Sequence, residues 1–122
     1  MSVIFPLKIS IDKATIDNEC YRKVIYTTKE SQVVLMSLPV GDYIRCEKHG
    51  DVTQFIKVEG GTGVVYINGD RRYNIKSGDS VVIPSNTYHY IKNTGKDSLK
   101  LYSIYSPPEH PVNLVQLKNP DN

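Results

Sequence analysis

The sequence has no tryptophan, two phenylalanines and two methionines among its 122 residues. It has two cysteines, Cys20 and Cys46, too few for a disulfide-rich scaffold. Neither lies in a Cys-x-x-Cys pair, so both are expected as free thiols in a reducing compartment. That makes the expected location cytoplasmic or otherwise intracellular (the host cytoplasm or a virion if the source is viral). An excess of one charge is also lacking: 15 basic against 13 acidic residues leave +2. The longest basic cluster is Arg71-Arg72, which argues against a nucleic-acid partner. No run approaches the about 18 apolar residues of a membrane span, so no membrane partner is expected. The stretch Met1-Ser2-Val3-Ile4-Phe5-Pro6 lacks a charged leader and is broken by proline, against a signal peptide. Gly60-Gly61-Thr62-Gly63 has no following helix and lysine, which excludes a phosphate loop. A Gly-x-Ser-x-Gly elbow is missing as well.

What is present is strand-like. Valine, isoleucine, threonine and nine tyrosines suit pleated, half-buried surfaces. Alternation predicts strands over 22–27, 32–38, 43–47, 53–58, 63–67, 71–75, 80–83, 89–92 and 99–105. Turn residues separate them at short intervals, Asn68-Gly69 most sharply, because both central residues of a type I′ turn need positive φ. The expected fold is all-β, a sandwich or barrel, in one domain over 1–122. Residues 1–19 are expected to add an edge strand, and residues 107–122, with four of the seven prolines, to lie extended on the surface.

Three histidines are present, His49, His89 and His110. Glu47 and His49 are two apart, so on one strand they share a face. Gln54 opens the next strand and His89 begins a later one. Together they offer a carboxylate, two imidazoles and an amide oxygen, a donor mix that suits Zn, Mn, Fe, Ni or Co. Spacing alone leaves this open against ordinary surface or core histidines. Arg45 is a candidate clamp for a phosphate or carboxylate, or else a solvated rim residue. Tyr66 and Tyr102 are candidate substrate-binding residues lining a barrel, or else packing residues. Cys46 is expected to be packed or interfacial, and His110 to lie on the surface.

These residues fall into two gapped patterns. Gly41-(DYIRC)-Glu47-Lys48-His49-(GDVT)-Gln54-(FIKVEG)-Gly61 resembles the first cupin motif, G-x5-H-x-H-x(3,4)-E-x6-G. Gly78-(DSVVI)-Pro84-Ser85-Asn86-Thr87-Tyr88-His89-(YIK)-Asn93 resembles the second, G-x5-P-x-G-x2-H-x3-N. The chain thus resembles a small single-domain cupin, with motif 1 at 41–61 and motif 2 at 78–93. Arg22-Lys23-Val24 with Tyr26, then Val34-Leu35-Met36-Ser37-Leu38, then Leu101-Tyr102-Ser103-Ile104-Tyr105-Ser106-Pro107-Pro108-Glu109-His110-Pro111 also resemble, from about Asn18 to Pro111, a subgroup described as similar to mannose-6-phosphate isomerase.

The resemblance implies a double-stranded β-helix, or jelly-roll barrel, holding one divalent metal ion through Glu47, His49, Gln54 and His89. Glu47 stands where the motif has histidine, and Gln54 where it has glutamate. The set still carries one negative charge, as three histidines and a glutamate would. Asn86 replaces a turn glycine, which asparagine tolerates. The implied activity is isomerase-like, on a small polar substrate such as a sugar or sugar phosphate, with Glu47 as the candidate catalytic base. The alternatives are an iron-dependent dioxygenase and a non-catalytic small-molecule-binding or sensor module. A homodimer is expected because a small barrel leaves sheet edges and an apolar face exposed, and Val3–Ile11 is apolar enough to join a partner's sheet.

Overall fold

Strands form where alternation places them, and none of the nine that alternation predicts is off by more than two residues at either end. The computed structural model describes residues 5–48 and 50–121. In chain order the elements are α1 (Ile11–Asp17), β1 (Arg22–Thr27), β2 (Gln32–Leu38), β3 (Tyr43–Glu47), β4 (Thr53–Gly60) and β5 (Thr62–Ile67). There follow β6 (Arg71–Lys76), β7 (Ser80–Ile83), β8 (His89–Asn93), β9 (Leu99–Ser106) and β10 (Val115–Gln116). One sheet has the order β10-β1-β2-β9-β4-β7 and the other β3-β8-β5-β6. All pairings are antiparallel.

The two sheets face each other over one core. Val34, Met36 and Leu38 of β2, Ile56 and Val58 of β4, Leu99 and Leu101 of β9, and Val65 and Ile91 opposite form it. Strand periodicity explains the selection, since alternate residues point inward.

The turns follow the expected chemistry with one refinement. Asn68 and Gly69 both take positive φ, 52° and 79°. Ile67 pairs with Arg71, however, so the loop also includes Asp70 and is longer than a two-residue hairpin. Asn86 has φ 59°, the left-handed conformation that its replacement of glycine requires. At Gly61, φ is 85°, and a Cβ there would meet the Ser98 carbonyl oxygen at 2.5 Å.

Two terminal expectations are corrected. Among the described residues 5–19 no edge strand forms. Ile11–Asp17 is a helix, with Asp12 in its first turn and a Lys13–Asp17 ion pair one turn apart at 2.5 Å. It packs on the outer face of the larger sheet against β2, β4 and β9. Lys100 there bonds the Asn18 carbonyl oxygen just beyond the helix. The tail is not merely extended: β10 pairs with β1, and Asn119 is buried, bonding Asp42 and the Tyr43 carbonyl. Cys20 and Cys46 are free thiols, and Cys46 is exposed rather than packed.

The asparagine of the second motif is a structural tie. Buried Asn93 donates to the carbonyls of Leu38 and Asp97, both at 2.9 Å, and accepts from the Gly95 amide. It joins the β8–β9 connection to the end of β2. Asn93→Ala strands those three backbone groups and should cost about 3 kcal/mol, read as a lower urea midpoint.

Candidate functional site

The interior changes character along its length. At one end the inward residues of β9 are Leu99 and Leu101, and at the other Ser103 and Tyr105. On β4 the same progression runs from Val58 and Ile56 to Gln54, and on β8 from Ile91 to His89. Antiparallel register carries these changes to one place, since Gln54 pairs with Tyr105 and Glu47 pairs with His89.

Glu47 reaches that face through a bulge. Ile44 pairs with Ile91 and Glu47 with His89, so β3 spends three residues where β8 spends two. The extra residue brings Glu47 to the same inner side as Ile44. It also breaks simple alternation: Arg45 and Cys46 are both exposed.

Gln54 is 2% exposed, and its Nε2 donates to Ser103 Oγ and Tyr105 Oη, both at 3.1 Å. Both amide hydrogens are therefore used, while the buried Oε1 has no hydrogen-bond partner. His89, also 2% exposed, has Nδ1 3.2 Å from the Thr87 carbonyl oxygen. A protonated Nδ1 suits that contact and puts the ring's lone pair on Nε2. His49 lies outside the described residues. Among the described residues no three histidine, cysteine, aspartate or glutamate side chains gather at one point. The described part of the expected ligand set is thus Glu47, His89 and the amide oxygen of Gln54.

Two buried tyrosines feel the charge of Glu47. Burial holds the Tyr105 phenol well above its ordinary range, with Arg22 opposing and the negative charge of Glu47 assisting. Tyr21 is raised for the same leading reason, with Arg22 again opposing and Asp42, Glu47 and Asp121 assisting. Its hydroxyl donates to the Tyr43 carbonyl at 2.9 Å.

The C-terminal tail supplies one wall. The buried Gln32 side chain accepts from the amides of Glu109 and His110 and donates to the His110 carbonyl. Held there, His110 packs edge-on against Tyr105, with ring centres 5.1 Å apart. Its Nε2 is shielded from solvent, which corrects the expectation of a surface histidine. Between tail and barrel lies a cavity of about 370 Å³, lined by Arg22, Arg45, Glu47, Glu109, His110 and Asp121 among others. A larger recess of about 690 Å³ opens on the seam between β6 and β7, and none of the expected site residues lines it.

Tyr66 and Tyr102 do not line the interior, which corrects that expectation. Their inward neighbours are Val65 and Leu101, so the pleat turns both tyrosines outward. Tyr66 packs on Tyr90 at 6.1 Å and beneath Arg72, and Tyr102 packs on Phe55 at 6.4 Å. Arg45 does reach the cavity, but at its rim, 3.7 Å from Asp121. The sequence reading missed Arg22, Ser103 and Tyr105. For the last two a signal existed, because they continue the inward phase of Leu99 and Leu101.

Two facing antiparallel sheets with a polar end define a jelly-roll barrel of the double-stranded β-helix type. The chain belongs to the cupin family: the cupin domain model matches residues 34–105. It is 39% identical to YrkC of Bacillus subtilis over 115 residues, 90% of this chain and 62% of YrkC. The chain therefore spans less than two thirds of that relative's length. It is 38% identical to L612 of Acanthamoeba polyphaga mimivirus over 117 residues, covering 93% of this chain and 73% of L612. The crystal structure of BH2720 from Bacillus halodurans is 36% identical with a TM-score of 0.91, over 93% of this chain and 89% of that one.

The tyrosine environment has a measurable consequence. Tyr21 and Tyr105 bind their protons more tightly folded than unfolded. The folded state therefore holds the extra protons once pH exceeds about 10, so this contribution is intact below that value and lost as pH rises past it. Absorbance titration should find fewer than the nine tyrosines ionised in the folded protein and all nine in urea.

Proposed function

We propose that this cupin holds one divalent metal ion at the polar end of its barrel through Glu47, His49, Gln54 and His89. In this reading it acts on a small polar substrate of the sugar or sugar-phosphate type, as an isomerase-like enzyme akin to the mannose-6-phosphate-isomerase-like cupins. The observation that carries it is the Gln54 amide oxygen, buried without a hydrogen-bond partner at the end of the barrel where Glu47 meets His89. Leaving such an acceptor unmet costs about 1–3 kcal/mol, and a cation removes that cost. One carboxylate, two neutral imidazoles and an amide oxygen fit zinc, manganese, iron, nickel or cobalt.

When bound, the ion would supply Lewis-acid polarisation of a carbonyl–hydroxyl pair. The chain's own residues do the rest. Glu47, half-buried and lining the cavity, would be the base that moves a proton between adjacent carbons once displaced from the ion. Tyr105 and Ser103 hold the Gln54 amide so that its oxygen stays available.

Metal analysis of the purified protein tests this reading. The parent should retain close to one zinc or manganese per chain after dialysis, and His89→Ala should lose it. Gln54→Ala should weaken binding less, because water can replace a neutral amide oxygen. A His49→Ala/His89→Ala double variant with the parent's metal content would overturn the ligand assignment.

The same reading includes a homodimer. Phe5, Leu7 and Ile9 alternate along the chain and are all exposed, Phe5 by 74%, an apolar edge that a second copy would cover. Light scattering at micromolar concentration should give twice the 13.8 kDa chain mass, and the single-chain mass alone would reject it.

A further inference from the structure

We propose that the cavity between the barrel's polar end and the C-terminal tail binds the carboxylate of a small polyhydroxylated acid, and that Arg22 recognises it. This rests on the small-polar-substrate reading above and narrows it, making the charged group of that substrate a carboxylate rather than a phosphate.

Arg22 begins β1, lines the cavity and is 8% exposed. Its Nη1 donates to Gln116 Oε1 at 2.5 Å, and its guanidinium lies over the Tyr21 ring at 5.2 Å. Both of these partners are neutral. Its Nε is buried and has no hydrogen-bond partner. A guanidinium carries five N–H donors and a permanent charge, and burial against an amide and a phenol ring leaves its Nε donor unmet. A carboxylate entering the cavity meets it.

The shape of the group selects the anion. The planar fork of arginine matches a carboxylate through two parallel hydrogen bonds. Glu47, Glu109 and Asp121 line the same cavity, so each added negative charge on the ligand is repelled. One charge is matched by Arg22, and the second charge of a phosphate is not. Arg45, the arginine that the sequence singled out, already sits beside Asp121 at the exposed rim. Gln116 on β10 holds the Arg22 fork in place, so the tail helps build the subsite.

The test is calorimetric titration of the full chain with D-glucuronate, D-glucose and D-glucose 6-phosphate, with Mn²⁺ titrated separately. The three sugars share a ring and differ in carrying a carboxylate, no charge or a phosphate. Wild type should bind glucuronate at least about tenfold more tightly than glucose. Arg22→Gln should reduce that ratio to near one with Mn²⁺ affinity unchanged. Gln116→Glu keeps the arginine and places a competing carboxylate against it, and should have the same effect. The proposal is overturned by undetectable glucuronate binding at millimolar concentration, by a wild-type ratio near one, or by a ratio that survives in either folded variant. Tighter binding of glucose 6-phosphate than of glucuronate also overturns it. An Arg22-dependent preference for glucuronate in a protein that fails to bind Mn²⁺ supports this proposal and overturns only the metal reading.

Discussion

The two hydrogen bonds from the Gln54 amide to Ser103 and Tyr105 fix how the polar end of this barrel is arranged. A side chain buried this deeply cannot exchange partners with water, so its donors must be met from within. Meeting them sets the direction of the amide oxygen. It also ties β4 to β9 at the level where Glu47 and His89 pair in the facing sheet. The opposite end is filled by Leu38, Val58, Leu99 and Leu101, which need no such ties. Polarity is thus concentrated in one place, and the apolar remainder of the core supplies the cohesion that keeps it there.

The tail belongs to the same arrangement. Gln32 grips the backbone at Glu109 and His110, Gln116 grips Arg22, and Asn119 grips Asp42 and Tyr43. These polar contacts run from the level of Tyr105 to the opposite end of β3, and all join residues far apart in sequence. A segment rich in proline, with few apolar side chains, docks by lending amides to partners it lacks locally. It thereby converts an open barrel end into a cavity with two sources of charge, the barrel strands and the tail.

The bulge in β3 matters for the same reason. Unbroken alternation would put Glu47 on the face opposite Ile44, away from His89. One extra residue reverses that and leaves Cys46 outward beside Arg45, which meets Asp121 at the rim. A local irregularity of backbone thus decides that the Glu47 carboxylate faces inward.

The strands and their turns were legible in the sequence because period-two alternation and the residues that accept positive φ are local properties. Asn68, Gly69 and Asn86 act within their own turns, and two gapped motifs carry the register of Glu47, Gln54 and His89 relative to one another. The inward phase of Ser103 and Tyr105 was equally available, yet both read as ordinary strand residues until paired with Gln54. Arg22 gave no signal of a place in the site: a basic residue opening a strand looks like any solvated edge. The short helix at Ile11–Asp17 was hidden because its stability comes from docking on the larger sheet rather than from its own seven residues. His110, the wall formed by the tail and the outward turn of Tyr66 and Tyr102 depended on which sheets meet and which strand bulges. Those are contacts between distant residues, and sequence periodicity reports only on near ones.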